Sequence, residues 1–159
     1  MTAHSTWEEV HLRLQGLLEG ETDAVAVMAT VACELHHAFA HYHWTGFYRV
    51  TAPRLLTVGP YQGGHGCLRI AFDQGVCGAA ARTGKTQLVP DVHAFEGHIA
   101  CSSTTQSEVV VPVVDSSGRV VAVLDVDSDL PDAFTETDQQ HLERICSRIA
   151  DVLSGAVER

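Results

Sequence analysis

The sequence predicts a mixed α/β protein of the α+β kind: an antiparallel sheet with helices packed on it. Three observations lead there. The elements run helix, helix, several strands with short helical insertions, a strong hairpin and a last helix; no βαβ unit repeats; and no glycine-rich nucleotide fingerprint follows a strand. At 159 residues the chain is expected to form one domain, 1–159, large enough to bury roughly 70% of the surface its unfolded form exposes.

Thr6 with Glu9 is a capping-box pair, and Trp7, Val10, Leu14, Leu17 and Leu18 recur at helical spacing, so a first helix should end near Gly20. Thr22 or Asp23 can cap a second. It runs from Ala24 to about Phe39 and is almost wholly apolar, with Val25, Met28, Ala32, Leu35 and Phe39 as its expected stripe against a sheet. Trp44 to Val50 and Leu55 to Val58 read as strands around a Thr51-Ala52-Pro53 connection, and Cys67 to Phe72 as a third. Gly75 to Arg82 is small and Ala-rich, hence a short helix that Gly84 ends, and Gln87 to Val89 is a short strand. From Asp91 to Ser107 there is no sustained periodicity, which predicts a long functional loop holding Cys101. Glu108 to Val114 and Arg119 to Asp127 form the strongest hairpin, turning at Asp115-Ser116-Ser117-Gly118. Thr135 then caps a terminal helix with Leu142, Ile145, Ile149, Val152 and Leu153 on one face.

Composition narrows the function classes. Twenty acidic residues against ten basic give a net charge of -10, and the arginines are scattered, so nucleic acid is not expected as a partner. No run of about 18 apolar residues and no charged start with an apolar segment is present, which predicts no membrane span, no signal peptide and a cytoplasmic protein. Five cysteines is an odd number for such a chain, so a structural disulfide framework is not expected and the thiols are either buried filler or chemistry.

Cys33 and Cys146 lie on apolar helices and read as small buried hydrophobes. Cys67, Cys77 and Cys101 lie in or beside loops. Cys77 opens a predicted helix, whose partial positive charge would favour a thiolate; Cys101 follows His93 and His98, whose imidazolium could do the same. The residues alone do not rank these two. Asp125 and Asp127 alternate on one strand, so they share a face at about 7 Å. In a partly dry site such a pair divides into a neutral acid and a charged base, whereas in solvent it merely ends the strand. Glu108 opens the partner strand, as a third acid or as an ordinary exposed start. Cys33, His37 and His41 share a helix face at metal-ligand spacing, but without an HExxH pattern no metal site is expected.

Five segments carry a resemblance. They are His43-Trp44-Thr45-Gly46-Phe47-Tyr48; Gly75-Val76-Cys77-Gly78; Gln87 to His93 with Gly97-His98-Ile99-Ala100-Cys101; Ser107-Glu108-Val109-Val110-Val111-Pro112; and Leu124-Asp125-Val126-Asp127-Ser128. Over about residues 43 to 145 the chain resembles the free methionine-(R)-sulfoxide reductase family, and the ten- and twenty-four-residue spacings of Cys67, Cys77 and Cys101 agree. The resemblance implies a GAF fold that reduces the R epimer of unbound methionine sulfoxide, with no bound cofactor and with thioredoxin as external reductant. It implies Cys101 as nucleophile, Cys67 as resolving thiol and Cys77 as a further redox-active thiol. Trp44 and Tyr48 would wall the substrate methyl group, and Glu108, Asp125 and Asp127 would bind its ammonium and assist protonation of its oxygen. A homodimer is compatible with the same likeness. Two departures stand out: Ser102 occupies a place where the family usually has an acid, and Gly63-Gly64-His65-Gly66 is looser than the family's usual version. The competing reading is a non-catalytic GAF domain that senses a small ligand or a redox signal; an acidic pocket would repel a phosphate-bearing ligand, and turnover separates a sensor from an enzyme.

Overall fold

The computed structural model describes residues 4–155. Helices α1 (Trp7–Leu17) and α2 (Ala24–Ala38) precede strands β1 (Trp44–Ala52), β2 (Leu55–Gln62) and β3 (Arg69–Ala71). Helix α3 (Gly75–Thr83) and strand β4 (Gln87–Val89) follow, and then the hairpin of β5 (Ser107–Val114) and β6 (Val120–Ser128), closed by α4 (Glu136–Ser154). The strands form a six-stranded sheet in the order β3-β2-β1-β6-β5-β4, with every adjacent pair antiparallel. No helix among the described residues is long and apolar enough to cross a membrane.

Period-two alternation divides the sheet into two differently used faces. Phe47 of β1, Val109, Val111 and Val113 of β5, and Ala122, Leu124 and Val126 of β6 pack against α1, α2 and α4 in the larger core. The alternate residues Trp44, Tyr48, Val110 and Val123 form a second core with Leu56, Ile70 and the Val76, Cys77 and Ala80 side of α3. The helical layer is held by its ends as well as by its apolar stripes. Thr6 with Glu9 and Thr135 with Asp138 form reciprocal capping boxes. The Trp7 indole donates to Asp138 at 3.0 Å, and His11 meets His141 at 2.9 Å, tying α1 to the start of α4.

Several expectations are corrected by packing. Val25 and Leu17 are exposed, and the buried stripe of α2 runs through Ala24, Val27, Met28, Val31, Ala32, Leu35 and Ala38. A run that is apolar on all sides gives periodicity little to choose between, and the sheet decides which side is buried. Cys33, expected as buried filler, is exposed on the opposite side, with its sulfur 3.7 Å from His37 Nδ1. His41 lies past the helix end and packs on Tyr42 and Phe134, so the three do not converge. Strand β2 continues through Pro60 to Gln62 because β1 pairs with Tyr61 and Gln62 beyond a register irregularity; Pro60 falls within that irregular stretch, where it interrupts no regular ladder pairing. The third strand is correspondingly short, leaving Cys67 in a loop. The Asp91 to Ser107 loop contains one 3-10 turn, Val92–Ala94, capped by the Asp91 side chain, and Ser107 already belongs to β5.

Candidate active site

Register brings the predicted acids together. Glu108 of β5 lies opposite Asp127 of β6, and Asp127 lies opposite Trp44 of β1; Asp125 sits in the next same-face row, between Val110 and Gly46. Residues directly opposite on one face stand about 5 Å apart, so the row from β5 through β6 to β1 is a continuous side-chain surface. Trp44 folds over Gly46, which has no side chain to obstruct it, and stacks on Tyr61 at 5.1 Å and beside Tyr48 at 5.8 Å. Its indole N–H donates to Gly64 O at 2.9 Å, tethering the loop that leads to Cys67. That loop then crosses the aromatic wall at Gly66, where a Cβ would lie 3.0 Å from both the Tyr48 hydroxyl and the Trp44 ring, so the crossing requires glycine.

Over this surface lies a cavity of about 30 Å³, lined by Trp44, Tyr48, Cys77, Glu108, Asp125, Asp127, His98 and Cys101, among others. Glu108 is 6% exposed and Asp125 4%, which rules out an ordinary solvent-facing strand start and strand end. Burial pushes the Glu108 carboxyl well above the usual range, and the neighbouring Asp125 and Asp127 push it further. Asp127 is raised well for the same two reasons, burial first and then Asp125. Asp125 is raised by burial too, but hydrogen bonds from Glu108, Cys77 and Asp127 oppose the shift. All three acids are thus pushed toward holding protons, Glu108 and Asp127 by burial and neighbouring charge together and Asp125 by burial against opposing hydrogen bonds. Asp125 Oδ1 and Asp127 Oδ1 are shut off from solvent with no hydrogen-bond partner. Such orphaned acceptors are costly unless a donor from elsewhere fills them.

The cysteines separate by environment. Cys67 and Cys101 are joined in a disulfide that spans 34 residues, with 5.3 Å between their Cα atoms. Cys101 lines the cavity. Cys77 does not become a thiolate, contrary to the expectation from its place at a helix start. Burial, then Asp125, Glu108 and Asp127, hold its pKa well above the usual thiol value, and its S–H points to Glu108 Oε1 at 4.0 Å. A helix terminus contributes about half an elementary charge, too little to offset a dry site with three acids. The ligand atoms of Cys77, Glu108 and Asp125 lie within 4.8 Å of one another, a spacing that could also grip a metal ion. The imidazolium expected to activate Cys101 is not favoured either: burial, and then His93, lower the pKa of His98.

All eight sequence-predicted site residues except Cys67 line the cavity directly, and Cys67 is bonded to one that does. The sequence reading did not single out Ile70, Ile99 or Thr105 as part of the same wall. Ile70 and Ile99 carry no chemical signal, and Thr105 could be placed only by the path of its loop.

The curled sheet with three helices on one face, and α3 and a disulfide beside buried acids on the other, define a GAF-type domain with paired cysteines at its candidate site. Its sequence from residue 19 to 154 matches the GAF domain family model. It is 42% identical to GAF domain-containing protein A of Dictyostelium discoideum over 87% of each chain. It is 36% identical to the free methionine-R-sulfoxide reductase of Saccharomyces cerevisiae, over 89% of this chain and 82% of that protein. The solved structure of free methionine-R-sulfoxide reductase from Neisseria meningitidis in complex with its substrate superposes with a TM-score of 0.87 at 39% identity, covering 99% of this chain and 98% of that one. The chain belongs to the free methionine-(R)-sulfoxide reductase family of GAF domains.

Proposed function

We propose that this protein is an oxidoreductase that reduces free methionine-(R)-sulfoxide to methionine through a cysteine sulfenic acid, and that thioredoxin restores its thiols. The observation that carries the reading is the Cys67–Cys101 disulfide set against buried acids that hold protons. Cys101 is assigned as the nucleophile because it lines the cavity, whereas Cys67 is not among the residues that do. Its thiolate attacks the sulfoxide sulfur while Glu108 or Asp127 gives a proton to the departing oxygen. The protonated oxygen passes from the methionine sulfur to the Cys101 sulfur as the transient sulfur–sulfur bond breaks; methionine leaves with the electron pair of the former S–O bond, its sulfur reduced, and Cys101 is left oxidised as a sulfenic acid. The Cys67 thiol then attacks that sulfur, water leaves, and the disulfide forms. An external dithiol reduces it by exchange, and a cytoplasmic setting with thioredoxin suits that step.

Asp125, the acid best placed to stay ionised, receives the substrate ammonium. Selection for the free amino acid follows, because a methionine residue within a chain has no ammonium to fill the orphaned oxygens. Trp44 and Tyr48 form the apolar wall for the methyl group. Cys77, held as a thiol, is assigned only slow exchange with the disulfide.

The test is NADPH consumption with a thioredoxin system and racemic free methionine sulfoxide. About half of the racemate should be consumed, and Cys101→Ser should abolish turnover; survival of activity in that variant would move the nucleophile elsewhere. Cys67→Ser should permit one turnover and leave a trappable sulfenic acid, whereas undiminished thioredoxin-coupled turnover would remove Cys67 from its role.

A further inference from the structure

A disulfide offers two sulfurs to a reductant, and the Cys67–Cys101 pair offers them unequally. Both residues are half-buried, but Cys101 lines the cavity that holds Glu108, Asp125 and Asp127, and Cys67 does not. A thiolate approaching Cys101 through the cavity would meet those acids. Cys67 instead stands where the chain joins the edge of the sheet. Leu68, the next residue, is 66% exposed, and Arg69 after it is exposed at the start of β3, the outermost strand. The backbone on either side of the sulfur is fixed: Val58 N donates to Leu68 O at 3.0 Å, and the Trp44 indole holds Gly64 O at 2.9 Å. A leucine presented on fixed backbone loses little freedom when a second protein covers it.

Charge states which kind of protein fits. Between residues 44 and 90 the chain carries Arg49, Arg54, Arg69, Arg82 and Lys85 against a single acid, Asp73, although the whole protein has a net charge of -10. Three of these arginines are exposed along the rim of β3. Arg69 opens the strand, Arg54 lies over the Phe72 ring at 5.6 Å, and Arg82 donates to Phe72 O. Phe72 is at most about 18 Å from Cys67 along the chain, so one small partner can touch the disulfide and the basic rim together. Redox encounters bury less than about 1,200 Å² in total, which a patch of this length can supply.

Resting on the reading that thioredoxin restores the thiols, we infer that the reductant docks on the basic rim of β3, over Leu68 and Arg69, and that its thiolate attacks Cys67 rather than Cys101. The partner this surface fits is a dithiol protein with negative charge around its reactive cysteine. Its thiolate forms a bond to the Cys67 sulfur as the Cys67–Cys101 bond breaks. Cys101 departs with that electron pair into the cavity, where it takes a proton. The second thiolate of the reductant then attacks the reductant's own first sulfur, Cys67 leaves as a thiolate and is protonated by solvent, and the reductant departs as a disulfide, two electrons poorer.

The experiment measures turnover of free methionine sulfoxide with an acidic thioredoxin at varied concentration, and again with dithiothreitol as the reductant. Leu68→Asp and Arg69→Glu should each raise KM for thioredoxin by roughly tenfold, the size of a moderate interface contact, and leave the dithiothreitol-supported rate unchanged. Arg69→Lys, which keeps the charge, should stay near wild type. A thioredoxin carrying only its attacking cysteine, mixed with the oxidised enzyme and digested for mass spectrometry, should be found bonded to Cys67. Attachment to Cys101 would overturn the inference, as would an unchanged KM for thioredoxin. Equal losses with both reductants would show that the substitutions merely distort the loop, and would overturn it too. A wild-type enzyme that turns over with dithiothreitol and never with thioredoxin would instead sink the reading of the reductant, and the inference with it.

Discussion

At Asp127 the proton-donating role proposed above opposes stability. In the fold its carboxyl holds a proton more tightly than in the unfolded chain, because burial and Asp125 both disfavour the charge. Its contribution therefore favours folding fully at pH values below the unfolded carboxylate pKa, near 3.9, and is lost as pH rises through the elevated folded value. Asp127→Asn, which never ionises, should melt above wild type at about pH 8 and level with it near pH 4, while losing activity; a gap that shrinks with rising pH would contradict this assignment. The three free thiols should differ as sharply. Exposed Cys33 should react with a neutral alkylating reagent in the native oxidised protein, whereas buried Cys77 and Cys146 should react only after unfolding, as mass spectrometry can count. The acids were legible in the sequence because period-two spacing puts Asp125 and Asp127 on one face. The protonation of Cys77 was not, since the groups that bury and repel its charge, Glu108, Asp125 and Asp127, are remote in sequence.

Among the elements, those with chemical end signals were read closest to their bounds. Helix α1 starts after Thr6 and α4 after Thr135, each with its capping box, and α3 closes at Gly84, which takes φ +65. Thr135→Ala should cost about 1 kcal/mol of stability, measurable by denaturant titration, with activity retained. Strands β2 and β3 were misjudged because their lengths depend on which partner each finds, and no local residue records that. Gly75 couples an element to the site: it takes φ +63 and has Ile99 against it. Gly75→Ala should cost roughly 1 kcal/mol or more. Unlike Thr135→Ala it should also impair turnover, because the displaced segment carries His98 and Cys101; unimpaired turnover would show that this strap does not set the geometry of the site.

At the scale of the molecule, the antiparallel sheet and its helical cover were legible because each strand's alternation and each helix's stripe agree with one architecture. What the residues alone left open was which thiols pair, and only the approach of two loops over the second face resolves it. The Cys67–Cys101 bond closes a long loop, so its reduction should lower stability by about 2–4 kcal/mol, a fall of roughly 5–15 °C in melting temperature for a chain of this size. Cys67→Ser should show the lower value with or without reductant. The space left over the acids has a kinetic corollary. It is narrow, and the Cys101 beside it is already bonded to Cys67, so no thiolate is available there to take a second oxygen. An enzyme oxidised in this way is unable to reduce its next oxidant before it has met its reductant. The two half-reactions must then alternate, double-reciprocal plots at several fixed thioredoxin concentrations should run parallel, and crowding with sulfoxide should never slow the recovery of thiols.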